Sequence, residues 1–452
     1  MKSPETMAST TDCRRVRLTP FEEYMLGDEY PGWPMTFWIR LEFSEPLDTA
    51  RLNRAVTATA MSHPLLAARV EFDRRRRPYW VPAPVTTVVH EFQSTEQNSE
   101  FPTSAPIDLQ KEPGWRIWKD NRSGSHIVWM EFHHSVCDGV GAFRVLEDIL
   151  ASYRDDTCPS DSNFDGNWQQ LTHRYRCDNL SGLAQRISQW AWMIWRIAAY
   201  SATAPASLDV VSWPHEVPPG GMVPSQARIA ALGDVNEYLQ AAKRHGCTLN
   251  DLVITCLFRS LQEAMVERAP DRRHRLRLFI PMDLRGNSLN TCQVGNVVGM
   301  LHIDRVVSAR GPGRDPVSVS SVASDMKIYR KTQMGRALVV SLEAVTAILG
   351  SPGRLLNPRK CGATSVLTNL KTPLQLSKLA GPDGRLQIGS TVLESVELFP
   401  PVRPMTPACF GLLTYGNELR LTMRFQPATF PTVDADSLFN RLTEELRNIK
   451  DN

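Results

Sequence analysis

The chain has 452 residues, a net charge of +3, 42% hydrophobic and 22% charged residues. At roughly 150 residues per domain, that length implies two or three compact units, each able to bury a core without disulfide staples. The composition excludes a mostly disordered chain, a collagen and a long coiled coil, and the small net charge offers no global field for nucleic acid or a strongly acidic partner.

Met1 to Thr11 is polar and lacks the apolar segment of a secretory signal. No run approaches the ~18 consecutive apolar residues of a membrane span. The nine cysteines are scattered, with no Cys-x-x-Cys pair. That pattern argues against a zinc site or a disulfide framework and predicts free thiols in a reducing, cytoplasmic setting.

Thr36 to Phe43 (TFWIRLEF) alternates as a strand does. Leu47 to Ser62 follows with helical spacing, Leu52, Val56 and Ala60 sharing a face. Ala67 to Phe72 and Ser125 to Phe132 read as strands, and Gly141 to Tyr153 as an amphipathic helix. Val210 to Gln226 (VVSWPHEVPPGGMVPSQ) carries four prolines and two adjacent glycines, the composition of a linker. Residues 1–209 and 227–452 are then two halves of similar size, joined through 210–226.

In the second half, Asp234 to Arg244 reads as a helix with an aspartate cap and Gly246 just beyond its end. Asn250 is the expected cap of a longer helix through about Glu267. Arg275 to Ile280 and Val297 to Ile303 read as strands. Gly411 to Tyr415 and Leu419 to Phe425 flank Gly416, Asn417 and Glu418, a hairpin loop. Strands and helices mixed in both halves imply an α/β or α+β two-layer class. No Gly-x-Gly-x-x-Gly or Walker loop offers a nucleotide site, and Ser135 lacks a nucleophile-elbow context.

The string His133-His134-Ser135-Val136-Cys137-Asp138-Gly139 stands between a strand and a helix. A histidine there can face a cavity, and its ordinary pKa of about 6.5 suits it to take a proton near neutral pH. One imidazole suffices for acyl transfer when the donor is already activated as a thioester. His133 is expected to pack away from the cavity. Asp138 is expected to hold the turn by pairing with a buried arginine, and Gly139 to allow a conformation or close approach that a Cβ would block.

HHSVCDG resembles the His-His-x-x-x-Asp-Gly signature of the thioester-dependent acyltransferase superfamily, which includes chloramphenicol acetyltransferase, condensation domains, polyketide-associated acyltransferases and wax ester synthases. Leu18-Thr19-Pro20-Phe21-Glu22 is similar to that family's opening segment. Ser62 to Arg69, Ile107-Asp108-Leu109, Thr248 to Asp251, Pro281 to Arg285, Gly295 to Val298 and Gly362 to Leu370 resemble further landmarks, with Thr368 where the family has serine. The plant enzymes' Asp-Phe-Gly-Trp-Gly string is missing, and the nearest Phe-Gly is Phe410-Gly411.

The resemblance implies two chloramphenicol-acetyltransferase-like halves with a tunnel between them. It implies His134 as general base, Thr368 as the oxyanion donor, and Asp138 as a structural residue paired with Arg285. No cofactor is bound tightly; acyl-CoA or an acyl carrier thioester is the co-substrate. The acceptor is a hydroxyl or amine of a small molecule or lipid, and a monomer is the expected state. The alternatives are a stand-alone condensation-type enzyme served by a carrier protein, and a non-catalytic binding platform.

Two other features draw attention. Arg74 to Arg77 lies between strand-like segments and reads as a solvated hairpin tip before it reads as a phosphate or carrier site. Leu183 to Tyr200, with Trp190, Trp192 and Trp195, suits a helix clamped between the halves, with contact to a membrane the less favoured reading.

Overall fold

The structure, a computed structural model, describes residues 15–85, 89–92, 100–102, 105–120, 124, 126–156, 168, 171, 191, 203–209, 222–285, 294–311, 313–332, 334–350, 362–371, 381 and 383–451. The segment 183–200, apart from Ala191, and the linker residues 210–221 lie outside them.

A short strand β1 (Val16–Arg17) leads into helix α1 (Pro20–Gly27). Proline at the first helical turn and a reciprocal capping box between Thr19 and Glu22 fix where α1 starts. Strand β2 (Thr36–Phe43) has the bounds its alternation predicts, and helix α2 (Thr49–Ser62) is capped by Asp48. Strands β3 (Ala68–Phe72) and β4 (Pro78–Pro82) form a hairpin that joins β1 in a three-stranded sheet. Arg74, Arg75 and Arg76 are exposed at its tip, as expected of a solvated turn. Strands β5 (Val89–Phe92), β6 (Trp115–Asp120) and β7 (Ile127–His133) lead to helix α3 (Gly139–Asp155).

The two faces of this layer follow from strand alternation. Phe37, Ile39, Leu41 and Phe43 of β2, with Val128, Met130 and Phe132 of β7, join one core with Val56 of α2 and Val145, Leu146 and Ile149 of α3. Trp38 and Trp129 lie on the other face and pack with Phe101 and Phe399. His133, at the end of β7, shares this second face by its register.

The C-terminal layer begins with β8 (Gln226–Asp234) and helix α4 (Val235–Arg244), capped by Asp234. Helix α5 (Leu249–Arg268) starts two residues earlier than expected, because Thr248 and Asp251 form a capping box; Thr248, not Asn250, is the cap. Strands β9 (His274–Asp283) and β10 (Val298–Val307) follow, then helices α6 (Val319–Lys331) and α7 (Met334–Leu349). Strands β11 (Ser365–Lys371), β12 (Gln387–Ile388), β13 (Thr391–Phe399), β14 (Ala408–Tyr415) and β15 (Glu418–Phe425) precede helix α8 (Thr432–Asp451). The β14–β15 turn is two residues, not three: Glu418 already pairs with Tyr415. Gly416 takes the left-handed conformation (φ 57°) that such a turn needs. Helix α5 is buried on most of its surface and forms a second core with β9, β14, β15 and α8.

The sheet order is β12-β13-β2-β7-β6-β5 in one six-stranded layer and β10-β9-β11-β14-β15-β8 in the other. The sheets therefore do not keep to a division at 210–226. Strand β13, from far beyond it, pairs antiparallel with β2 and covers an edge that would otherwise be open. Gln226, assigned to the linker by composition, already pairs with Phe425.

The two layers touch where β13 passes β14 and β15. A Cβ on Gly411 would lie 2.2 Å from the Leu398 carbonyl oxygen and 2.5 Å from Thr422 Oγ1. Thr422 Oγ1 donates to that same carbonyl. The Phe410-Gly411 pair is thus a crossing point between sheets, and only glycine fits. Gly411→Ala is expected to destabilise the fold by roughly 1–3 kcal/mol, through forced backbone movement. Urea unfolding measures it, and an unchanged midpoint would contradict this account of the crossing.

Candidate active site

The motif loop is built by its neighbours. His134 N–H donates to the Met35 carbonyl at 2.8 Å, and His133 N–H to the Gly114 carbonyl at 2.8 Å. Gly114 permits the second approach: a Cβ there would meet Val136 Cγ2 at 2.3 Å. Ser135 Oγ donates to the Glu22 carbonyl at 3.1 Å and ties the loop to α1.

His133 is fully buried. Its Nδ1 accepts from Ser135 N–H at 3.1 Å, and its Nε2 lies 3.4 Å from Glu29 Oε2. Nδ1 is occupied as an acceptor, so Nε2 carries the hydrogen and points to Glu29. His134 is only partly buried. The rings of Phe37 and Phe21 lie edge-on to its imidazole, with centroids at 5.4 and 6.5 Å. Its Nδ1 lies 3.2 Å from Asn296 Oδ1.

Burial pushes the His134 imidazole below its ordinary range; a hydrogen bond to its own backbone, the nearby Asp138 charge and the Asn296 hydrogen bond oppose that, in this order, without overcoming it. The ring is therefore neutral at pH 7. An unfolded chain would bind a proton here near the ordinary value of ~6.5, so this group contributes stability above that pH and loses it as pH falls.

Asp138 and Arg285 come together from the two halves. Arg285 reaches Asp138 through both terminal nitrogens, at 2.9 and 3.0 Å. Each side chain is 5% exposed. Asp138 also caps α3, accepting from Gly141 N–H at 2.9 Å, and accepts from Val297 N–H at 2.8 Å. Arg285 donates to the Gly295 carbonyl at 3.0 Å. One carboxylate thus holds a helix start, a guanidinium and a loop of the other half.

Gly139 sits against β11. A Cβ there would lie 2.5 Å from Leu370 Cδ1, so the close-approach reason for glycine applies, and Gly139 has no left-handed backbone. Alternation along β11 puts Thr368 on the same face as Leu370. The opposite face carries Leu367, in the second core, and Asn369, whose amide donates to Asn250 at 3.3 Å. Cys137 is fully buried, and burial pushes its thiol well above the ordinary range, which leaves no thiolate for nucleophilic work. His63 lies at the end of α2, its Nε2 2.7 Å from Asp148 Oδ2.

Composition and motif reading singled out His133, His134, Asp138, Gly139, Arg285 and Thr368 but gave no role to Asn296. It stood within the segment 295–298 only as a landmark. Its signal is tertiary: the two ends of its amide meet backbone carbonyls and an imidazole from the other half. Among the described residues, no three His, Cys, Asp or Glu side chains converge as a metal-binding group. No helix among them is long and apolar enough to cross a membrane.

Comparison with known proteins defines the fold. No family model matches the chain. Among curated proteins, an NRPS-like tryptophan epimerase, fscC, of Fusarium equiseti is 23% identical over 166 residues, 35% of this chain and 11% of that protein. The chain thus matches only a small part of that relative's length. Among solved structures, the TRI3 trichothecene 15-O-acetyltransferase from Fusarium sporotrichioides aligns with a TM-score of 0.68 at 11% identity, over 98% of this chain and 96% of that one. The first condensation domain of the calcium-dependent antibiotic synthetase, in complex with a substrate analogue, aligns with a TM-score of 0.64 at 17% identity, over 96% of both chains. The fold is therefore the two-half architecture shared by condensation domains and chloramphenicol-acetyltransferase-like acyltransferases, and it covers nearly the whole chain.

An NMR titration of the His134 ring checks the electrostatics of the site. The expected midpoint lies below the ~6.5 of an unperturbed imidazole. A midpoint above it would mean that the hydrogen bonds to the ring and the Asp138 charge together outweigh burial.

Proposed function

We propose that the protein is an acyltransferase that moves an acyl group from a thioester to a hydroxyl or amine. The observation that carries the reading is the setting of His134: partly exposed, bonded at Nδ1 to Asn296 with no partner for Nε2 among the described residues, and held by burial below the ordinary imidazole range. That is what a general base requires.

In this reading Nε2 takes the proton of the acceptor as its oxygen or nitrogen attacks the thioester carbonyl. The new bond forms at carbon, and the carbonyl pair moves onto oxygen. The tetrahedral intermediate then collapses, the carbon–sulfur bond breaks, and the imidazolium returns its proton to the departing sulfur. Thr368 donates a hydrogen bond to the transient oxyanion. What supports Thr368 is its place on the face of β11 that meets the motif at Gly139. Asp138 and Arg285 shape the loop and do not exchange protons.

Free acyl-CoA is the simplest donor, and the acceptor is a small molecule or lipid. The likeness to a condensation domain favours a second reading, in which the acyl group arrives on a carrier protein. Likeness to an acetyltransferase supports the first.

Release of free thiol from acyl-CoAs of increasing chain length, with pooled alcohols and amines, tests the proposal. Release should require the pool and fall at least ~10²-fold in His134→Ala. Thr368→Ala should lower kcat by about 10²-fold or more if its hydroxyl meets the oxyanion. Undiminished turnover in His134→Ala would overturn the mechanism, and undiminished turnover in Thr368→Ala would remove that residue from it. Release only from carrier-loaded thioesters would select the second reading.

A further inference from the structure

We propose that Asn296 is a positioning residue that holds His134 in the tautomer with hydrogen on Nδ1, and that the Asp138–Arg285 pair acts on the imidazole through it. The catalytic consequence rests on the acyl-transfer reading; the tautomer can be observed without turnover.

The orientation of the amide follows from its partners. Asn296 Nδ2 lies 2.8 Å from the His134 carbonyl oxygen and 3.0 Å from that of Ser135. Carbonyls only accept, so the nitrogen must face the motif backbone and the oxygen must face the ring. A flipped amide would set an acceptor against two acceptors. Asn296 is 3% exposed, so water offers no easy substitute for these bonds. With Oδ1 3.2 Å from Nδ1, the ring nitrogen must be the donor. The lone pair is then on Nε2, the atom that must take a proton. An imidazole with hydrogen on Nε2 could not act there.

The residues beside Asn296 are both bound to the ion pair. Val297 N–H donates to Asp138 Oδ2 at 2.8 Å. The Gly295 carbonyl accepts from Asp138 N–H at 3.3 Å and from Arg285 at 3.0 Å. The pair therefore sets the backbone of 295–297, that backbone sets the amide, and the amide, together with the ring's hydrogen bond to the His134 backbone, sets the ring. His133 provides the contrast. Its Nδ1 accepts from Ser135 N–H, so adjacent histidines are held in opposite tautomers by different neighbours.

Nitrogen-15 NMR of the imidazoles, on the full chain without substrate and above the His134 midpoint, is the test. His134→Ala assigns the signals. The wild-type ring should show a protonated Nδ1 and a bare Nε2. Asn296→Ala should shift hydrogen onto Nε2, in whole or in part, and lower kcat on the order of 10²-fold with KM little changed. Asn296→Asp keeps an acceptor oxygen at Nδ1 and adds negative charge, but loses the two donations to the motif carbonyls; in the folded variant it should retain the tautomer and move the acid limb of the pH–rate profile upward. An Asn296→Ala ring that keeps hydrogen on Nδ1, with wild-type kcat, would overturn the inference. So would an Asn296→Asp protein whose acid limb does not move. A shifted tautomer in Asn296→Ala, beside full turnover in His134→Ala, would uphold the positioning role and refute the acyl-transfer reading alone.

Discussion

The site depends on one buried ion pair. Asp138 follows His134 by four residues, and Arg285 comes from the loop after β9 in the other layer. Two charges at 5% exposure have little solvent to stabilise them separately. Each is held by the other in bidentate geometry and by further backbone bonds. Such a pair contributes little net stability compared with apolar residues of the same size, yet it is costly to break. Its value is placement. It fixes the start of α3, the segment 295–297 and, through them, the ring of His134.

The same logic recurs across the contact between the layers. Glu397 of β13 is fully buried and lies 3.0 Å from Arg40 of β2 and 2.7 Å from Arg420 of β15. Arg403 pairs with the buried Asp28, just beyond α1. Arg424 donates to the Thr36 carbonyl at 2.8 Å, and burial lowers its guanidinium to about 10. Glu131, two residues before His133, is pushed up to about 7 by burial. Charged groups at fixed spacing define one relative placement of the sheets, whereas an apolar face alone would allow sliding. Around His134 the apolar contribution is local: Phe21 and Phe37 shield the ring and keep it neutral.

Much of this was legible in the residues, for identifiable reasons. Strand β2 has the bounds its alternation implies, because one face meets helices and the other meets a second aromatic cluster. Helix α3 begins at the motif because Asp138 is both cap and ion-pair partner. The cap of α5 was displaced because Thr248 and Asp251 satisfy each other, and a single asparagine could not signal that. Strand β13 could not be assigned to the first layer from its own residues, since its pairing with β2 joins positions such as Trp38 and Phe399 that lie far apart in the chain. Asn296 was visible only as part of a landmark. Its two bonded ends depend on backbone carbonyls, which leave no trace in side-chain pattern.

The central claim is that Asp138 and Arg285 form one unit across the halves. A double-mutant cycle on unfolding free energy, with Asp138→Asn, Arg285→Gln and the double variant, tests it most directly. The account predicts that each single change costs about 3–5 kcal/mol, because the remaining charge is left buried and unpaired. The double change should cost no more than either single one, giving a coupling of at least about 3 kcal/mol. Losses that simply add would contradict the claim and leave the pair as two independent contacts.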